Sequence, residues 1–171
     1  MILGKKHSYE TDYAGAYPAS VIAYDFVKRG IDEGNPVTQM KLQKLIFFAH
    51  GLHLASQDAP LTKEYFQAWK FGPVIPNVYH EYKLYGSAPI IETDLILFQS
   101  KRTPDTDCID KESLEMIDVA WQTLNKFTAI QLSNWTHNAD SPWTKHYKQD
   151  EQYVIIPNED IKMYFDKFVK K

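Results

Sequence analysis

The stretch Met40-Lys41-Leu42-Gln43-Lys44-Leu45-Ile46-Phe47-Phe48-Ala49-His50-Gly51-Leu52-His53-Leu54-Ala55 decides how the rest of the chain must fold. At about 3.6 residues per turn, Leu42, Leu45, Ile46, Ala49, Leu52 and His53 form one stripe, and Phe47 and Leu54 take the opposite side. A helix apolar around nearly its whole circumference belongs inside a domain, so the other elements have to pack around it. Its polar exceptions are few. Lys41 and Lys44 lie in the first two turns, and Gln43, His50 and His53 interrupt the apolar surface. Because the amino end of a helix already carries partial positive charge, each lysine is misplaced there by about a few tenths of a kcal/mol. Such a concentration of positive charge suits an anion or a carboxylate.

Length and composition limit what surrounds this helix. The chain has 171 residues, enough for one domain that buries about two-thirds of the surface its unfolded form exposes. Cys108 is the only cysteine, so no intramolecular disulfide forms. Neither an apolar leader nor a small-residue cleavage site opens the chain, which leads us to expect a reduced, cytoplasmic protein. No run approaches the roughly 18 apolar residues of a membrane span. A formal net charge of -3 argues against a general binder of nucleic acid, because phosphate-tracking domains carry a basic excess. Aromatic residues make up 14% of the chain, and Tyr79, Tyr82 and Tyr85 stand in polar contexts. Aromatics of that kind serve cores first and interfaces second.

The local signals divide the chain into a mainly α (α+β) domain around the buried helix, with a small antiparallel sheet. Residues 1–17 lack a period and read as a flexible arm; residues 18–171 form the domain. Ile22, Ala23, Phe26 and Val27 mark a helix from Ala19 to Arg29 that Gly30 stops. Thr38 caps the central helix. Tyr65 to Phe71 reads as a strand ended by Gly72-Pro73, and Val74 to Gly86 as a helix with proline at its start and glycine at its end. Ser87 to Asp110 suggests one or two strands around a charged loop. Leu114, Ile117, Ala120, Trp121 and Leu124 define a helix capped by Asp110, and Thr128 with Gln131 has the spacing of a capping box. A short turn or helix starts at Pro142, Tyr153 to Ile156 forms a strand, and Asn158 caps a last helix carrying Ile161, Tyr164, Phe165 and Phe168.

The chemistry-bearing residues admit several uses. His50 and His53, three apart on one helix, could share a ligand with His137, but the glutamate and the four-residue spacing of the His-Glu-x-x-His zinc motif are absent. Neither a nucleophile elbow nor a phosphate-cradling glycine loop occurs, and no base neighbours Cys108. Trp69-Lys70-Phe71-Gly72-Pro73-Val74 concentrates aromatic and basic residues at a turn that proline stiffens, which lowers the ordering cost of recognition there.

Four ordered blocks carry a family resemblance. Lys41-Leu42-Gln43-Lys44-Leu45 with Phe47-Phe48-Ala49-His50-Gly51, then Ala68 to Pro76 with Val78-Tyr79, then Trp135-Thr136-His137, then Pro142-Trp143, together resemble the Panacea domain, which includes SocA-like antitoxins and phage-associated GepA-like proteins. The resemblance spans Ala19 to Phe168. It implies a non-catalytic antitoxin that neutralises a cognate toxin by direct contact, with a bacterial ATP-dependent protease as a further partner in members acting as proteolytic adaptors. It implies no cofactor, metal or catalytic residue. Carried over by position, the partner-binding residues are Lys41, Gln43, Lys44, His50, Trp69, Lys70, Gly72, Pro73, Tyr79, His137 and Trp143. The competing readings are a metal-dependent or histidine-based enzyme built on His50, His53 and His137, and a DNA-binding, phage-associated regulator using Lys41, Lys44 and Lys70.

Overall fold

The computed structural model describes residues 16–93 and 103–170. The chain enters through Tyr17, which forms an isolated parallel bridge with Thr62 and whose hydroxyl donates to Asp110, then turns into α1 (Ala19–Asp32). The central helix is α2 (Gln39–Gln57). Thr38 caps it by accepting from the Lys41 amide, and Asp58 closes it in a left-handed conformation. All of α2 from Lys41 to Ala55 is buried except Phe48, which is half-buried. It touches α1, the sheet and most of the other helices. Enclosure on all sides is what a helix without a polar face requires.

The sheet is a hairpin plus one short strand. β1 (Phe66–Trp69) pairs antiparallel with β2 (Gly72–Val74), with Trp69 opposite Gly72 across the two-residue loop Lys70-Phe71. β3 (Ile155–Ile156) pairs antiparallel with the other side of β1, giving the order β2-β1-β3. The helices that follow the hairpin are α3 (Pro76–Tyr82), which runs into a 3-10 turn at Lys83–Tyr85, then α4 (Lys111–Leu124) and α5 (Ala129–Thr136). α6 (Pro142–His146) and α7 (Asn158–Phe165) complete the seven α-helices of the described residues. The fold is therefore mainly α, with a small antiparallel sheet. Asp110 caps α4, and Thr128 and Gln131 make the expected reciprocal capping box on α5.

Several boundaries differ from the sequence reading, each for a physical reason. Gly30 does not stop α1: it is buried inside the helix, and a Cβ there would meet the Asn35 carbonyl oxygen at 2.8 Å. The reversal falls at Gly34, whose φ is +67°. Gly72-Pro73 does not end a strand but begins β2, because β2 lies at the sheet edge, where proline forfeits no ladder hydrogen bond. Asn158 is not a helix cap. Pro157 occupies that position without a side-chain bond, and the Asn158 carboxamide accepts from His50 instead. Residues 87–93 and 103–110 form no strand, although Ile90 is buried and its amide donates to Val37. The expected arm up to Gly15 and the apolar run Leu95 to Phe98 lie outside the described residues.

The core on the far side of α2 is aromatic. Phe47 meets Phe66 and Phe165 edge to face, with ring centroids 5.2 and 5.6 Å apart, and Phe48 and Trp135 close the cluster. Gly51 admits this packing, since a Cβ at that position would stand 2.2 Å from the Phe165 ring. Gly51→Ala should therefore destabilise the fold by about 1–3 kcal/mol through overpacking. Urea denaturation checks this as a lower midpoint at unchanged slope.

Candidate functional site

The hairpin, the α3 segment with its 3-10 turn and the start of α5 meet over the amino-terminal half of α2 and leave a groove of about 590 Å³ between them. Its floor is the first turns of α2, from Thr38 to Lys44. One wall is the hairpin, through Trp69, Lys70, Phe71 and Val74; the other combines Tyr79 and Lys83 with Ala129 and Ile130 at the start of α5. Local chemistry fixes each wall. The Trp69 ring packs edge to face on Tyr79 at 4.9 Å and donates from Nε1 to Gln67, while the Phe71 carbonyl accepts from Ser133 Oγ at 2.7 Å, tying the hairpin loop to α5. Gln43 holds the far end of β2 at two points. Its Oε1 accepts from the Ile75 amide at 2.9 Å and its Nε2 donates to the Ile75 carbonyl at 3.3 Å. That bond pair satisfies the backbone just before the prolyl start of α3 and fixes where the hairpin lies on α2.

Large apolar side chains stay in water around this groove. Phe71 is 55% exposed, Ile130 69% and Tyr79 36%. Among the described residues the lining contains three lysines, Lys44, Lys70 and Lys83, and no aspartate or glutamate.

Lys44 is the unusual member. The residue is 1% exposed, and burial alone drives its ammonium down to about pKa 7, with no carboxylate near enough to compensate. Its stem occupies the space that a side chain on residue 72 would take: a Cβ there would come 2.6 Å from Lys44 Cε and 2.8 Å from Thr136 Oγ1. Gly72 has φ +120°, a conformation open to glycine, so backbone and packing both demand glycine at this point. Lys44 also lies close enough to His137 to help burial push that imidazole below its ordinary value. His137 stacks flat on Trp143 at 3.7 Å with its Nε2 buried and unbonded, Trp143 stacks in turn on Tyr147, and Trp143 Nε1 donates to the Trp69 carbonyl.

The residues proposed from sequence thus separate by position. Gln43, Lys44, Trp69, Lys70 and Tyr79 line the groove; Gly72 makes room for Lys44; His137 and Trp143 stand behind it. Pro73 is buried in β2 opposite Ala68. Lys41 and His50 present no surface. Lys41 is 8% exposed and its ammonium donates to the Asn125 carbonyl. His50 is fully buried: its Nδ1 accepts from the Thr62 amide, its Nε2 donates to Asn158 Oδ1, and burial drives its pKa to about 4. His53 is equally committed, with Nδ1 on the Ala59 carbonyl and Nε2 on Ser113 Oγ. Both ring nitrogens of each histidine are therefore engaged by protein atoms, and among the described residues no group of three or more His, Cys, Asp and Glu could hold a metal ion. Of the three lysines considered for DNA, only Lys70 is exposed. The sequence reading missed Phe71, Lys83 and Ile130 as lining residues. The available signal was at Ile130, an apolar residue in the first turn of α5 off the stripe of Leu132 and Thr136.

Fold and groove together define a small helical domain whose enclosed central helix carries a recognition-sized cleft at its amino-terminal end. By sequence the chain belongs to the Antitoxin SocA-like, Panacea domain family, whose model matches residues 42–144. Antitoxin SocA of Caulobacter vibrioides (strain NA1000 / CB15N) is 33% identical over 110 residues, covering 63% of this chain and 58% of that protein. The chain thus spans a little over half the length of that relative. No solved structure matches significantly. Among the described residues no helix is long and apolar enough to cross a membrane.

The buried lysine sets a pH dependence whose sign is fixed. A base with a folded pKa of about 7 against an ordinary 10.5 makes the unfolded chain bind more protons between those values, so this group makes stability rise with pH across that window. Lys44→Met should be more thermally stable than the wild type at pH 7, with the gap closing toward pH 10. Melting curves of the two proteins across that range check it.

Proposed function

We propose that this chain is a cytoplasmic antitoxin that neutralises a cognate toxin by direct protein contact, seating part of it in the groove over the amino-terminal half of α2. The observation that carries the reading is that the hairpin wall and the floor residues Gln43 and Lys44 come from the stretch matched to the antitoxin family, and that the groove's rim exposes Phe71, Tyr79 and Ile130. Contiguous exposed aromatic and aliphatic side chains around a fixed cleft are what a protein partner buries. Rigidity supports the same reading. The Gln43 clamp, the Ser133 bond and the Trp69–Tyr79 pair hold the walls in place before binding, which reduces the ordering cost of association. Delivery of the captured toxin to an ATP-dependent protease is a separate step. It would shorten the toxin's half-life on coexpression, whereas occlusion alone would leave it unchanged.

Coexpression with the product of the adjacent reading frame tests the proposal. Growth should be rescued and the two proteins should copurify; failure of both for that pair would sink it. Phe71→Asp with Ile130→Asp should abolish rescue while leaving the melting midpoint within a degree or two, about the effect of a surface substitution. Met163→Asp, at an exposed position on α7 outside the groove, should rescue as the wild type does.

A further inference from the structure

Resting on that reading, the buried lysine specifies what the partner must bring. Lys44 lines the groove, is all but fully buried, and accepts no compensation from any carboxylate; the ring of His137 behind it adds an unbonded Nε2 rather than a counter-charge. An ammonium in that position is costly unless something anionic reaches it. Thr136 does not neutralise it, because its hydroxyl, which donates to the Ser133 carbonyl at 2.7 Å, carries no charge. In the floor, Thr38 caps α2 and Gln43 is bonded to Ile75, whereas Gln39 Oε1 is buried without a partner; Lys44 is the charged lining group of the floor left without a counter-charge.

We propose that the groove accepts an apolar segment of the toxin bearing a single aspartate or glutamate, whose carboxylate pairs with the Lys44 ammonium beside Gly72. Charge complementarity commits the site to this occupant. One buried cation matches one monovalent anion, and the surrounding Met40, Trp69, Phe71, Val74 and Ile130 match apolar neighbours on the same segment. A phosphate dianion would need a second cation beside Lys44, and the other two lysines of the lining, Lys70 and Lys83, are exposed. Lys70 and Lys83, exposed along the lining, steer an acidic segment toward the cleft without being desolvated by it.

Two experiments test this separately from the antitoxin reading. Lys44→Met keeps the length of the stem and removes its charge. It should weaken binding of the adjacent reading frame's product at least about tenfold without lowering the melting midpoint. Binding as tight as the wild type's would overturn the carboxylate pairing while leaving the antitoxin role standing. Independently of any toxin, NMR titration of the Lys44 side chain in the full protein can be run with acetyl-Leu-Asp-Leu-amide, acetyl-Leu-Asn-Leu-amide and inorganic phosphate. The aspartyl peptide should raise the pH at which Lys44 loses its proton, and the other two should leave it in place. No response to the aspartyl peptide, or an equal response to phosphate, overturns the proposal. A response confined to the aspartyl peptide, with no binding of the adjacent product, would keep the carboxylate site and discard that toxin.

Discussion

Enclosure of α2 on every side is the constraint from which the rest follows. A helix with no solvent face must satisfy each of its polar side chains inside the protein, since an unmet buried polar group costs more than a met one returns. Lys41 meets this through the Asn125 carbonyl, Gln43 through the backbone of Ile75, His50 through Thr62 and Asn158, and His53 through Ala59 and Ser113. These bonds reach five different segments, so the polar residues of α2 act as pegs that fix where the surrounding elements lie. Two are left unmet at the amino-terminal end: Gln39, whose Oε1 is buried without a partner, and Lys44, the one of the pair that carries a charge. The charged exception lines the groove proposed as the recognition site.

The hairpin turns this exception into a site. Gly72 lets the backbone pass over the Lys44 stem, the Lys70-Phe71 loop is held down by Ser133, and Pro73 sits on the sheet edge where it costs no ladder bond. The stacked rings of His137, Trp143 and Tyr147 brace the hairpin from behind through the Trp143 bond to Trp69. A wall held at several points keeps Phe71 in water despite its apolar ring. The exposure is maintained by geometry and not by a lack of nearby apolar surface.

Much of this was legible in the sequence because it is local. The all-round apolar pattern of residues 40–55, the Thr38 and Asp110 caps and the Thr128–Gln131 capping box depend on neighbours a turn away. The antiparallel sheet was legible as strands but not as a hairpin, because Gly72-Pro73 reads as a terminator unless the edge position of β2 is known. Asn158 shows the same limit: its residue type fits a cap, yet a partner 108 positions earlier claims its side chain. For the site, residue identities were legible and directions were not. Lys41 and Lys44 look alike in sequence, and only the fold separates the one bonded to Asn125 from the one left open beneath the hairpin. Ile130 and Lys83 joined the groove through tertiary approach, which no local pattern records.

Hydrogen–deuterium exchange with and without the proposed toxin partner decides whether recognition occurs over the amino-terminal half of α2. Exchange should slow in residues 69–80, in the 83–87 turn and in the first turn of α5, with α4 and the outer face of α7 unchanged. Protection confined to α4 or α7, with the hairpin exchanging as in the free protein, would contradict it.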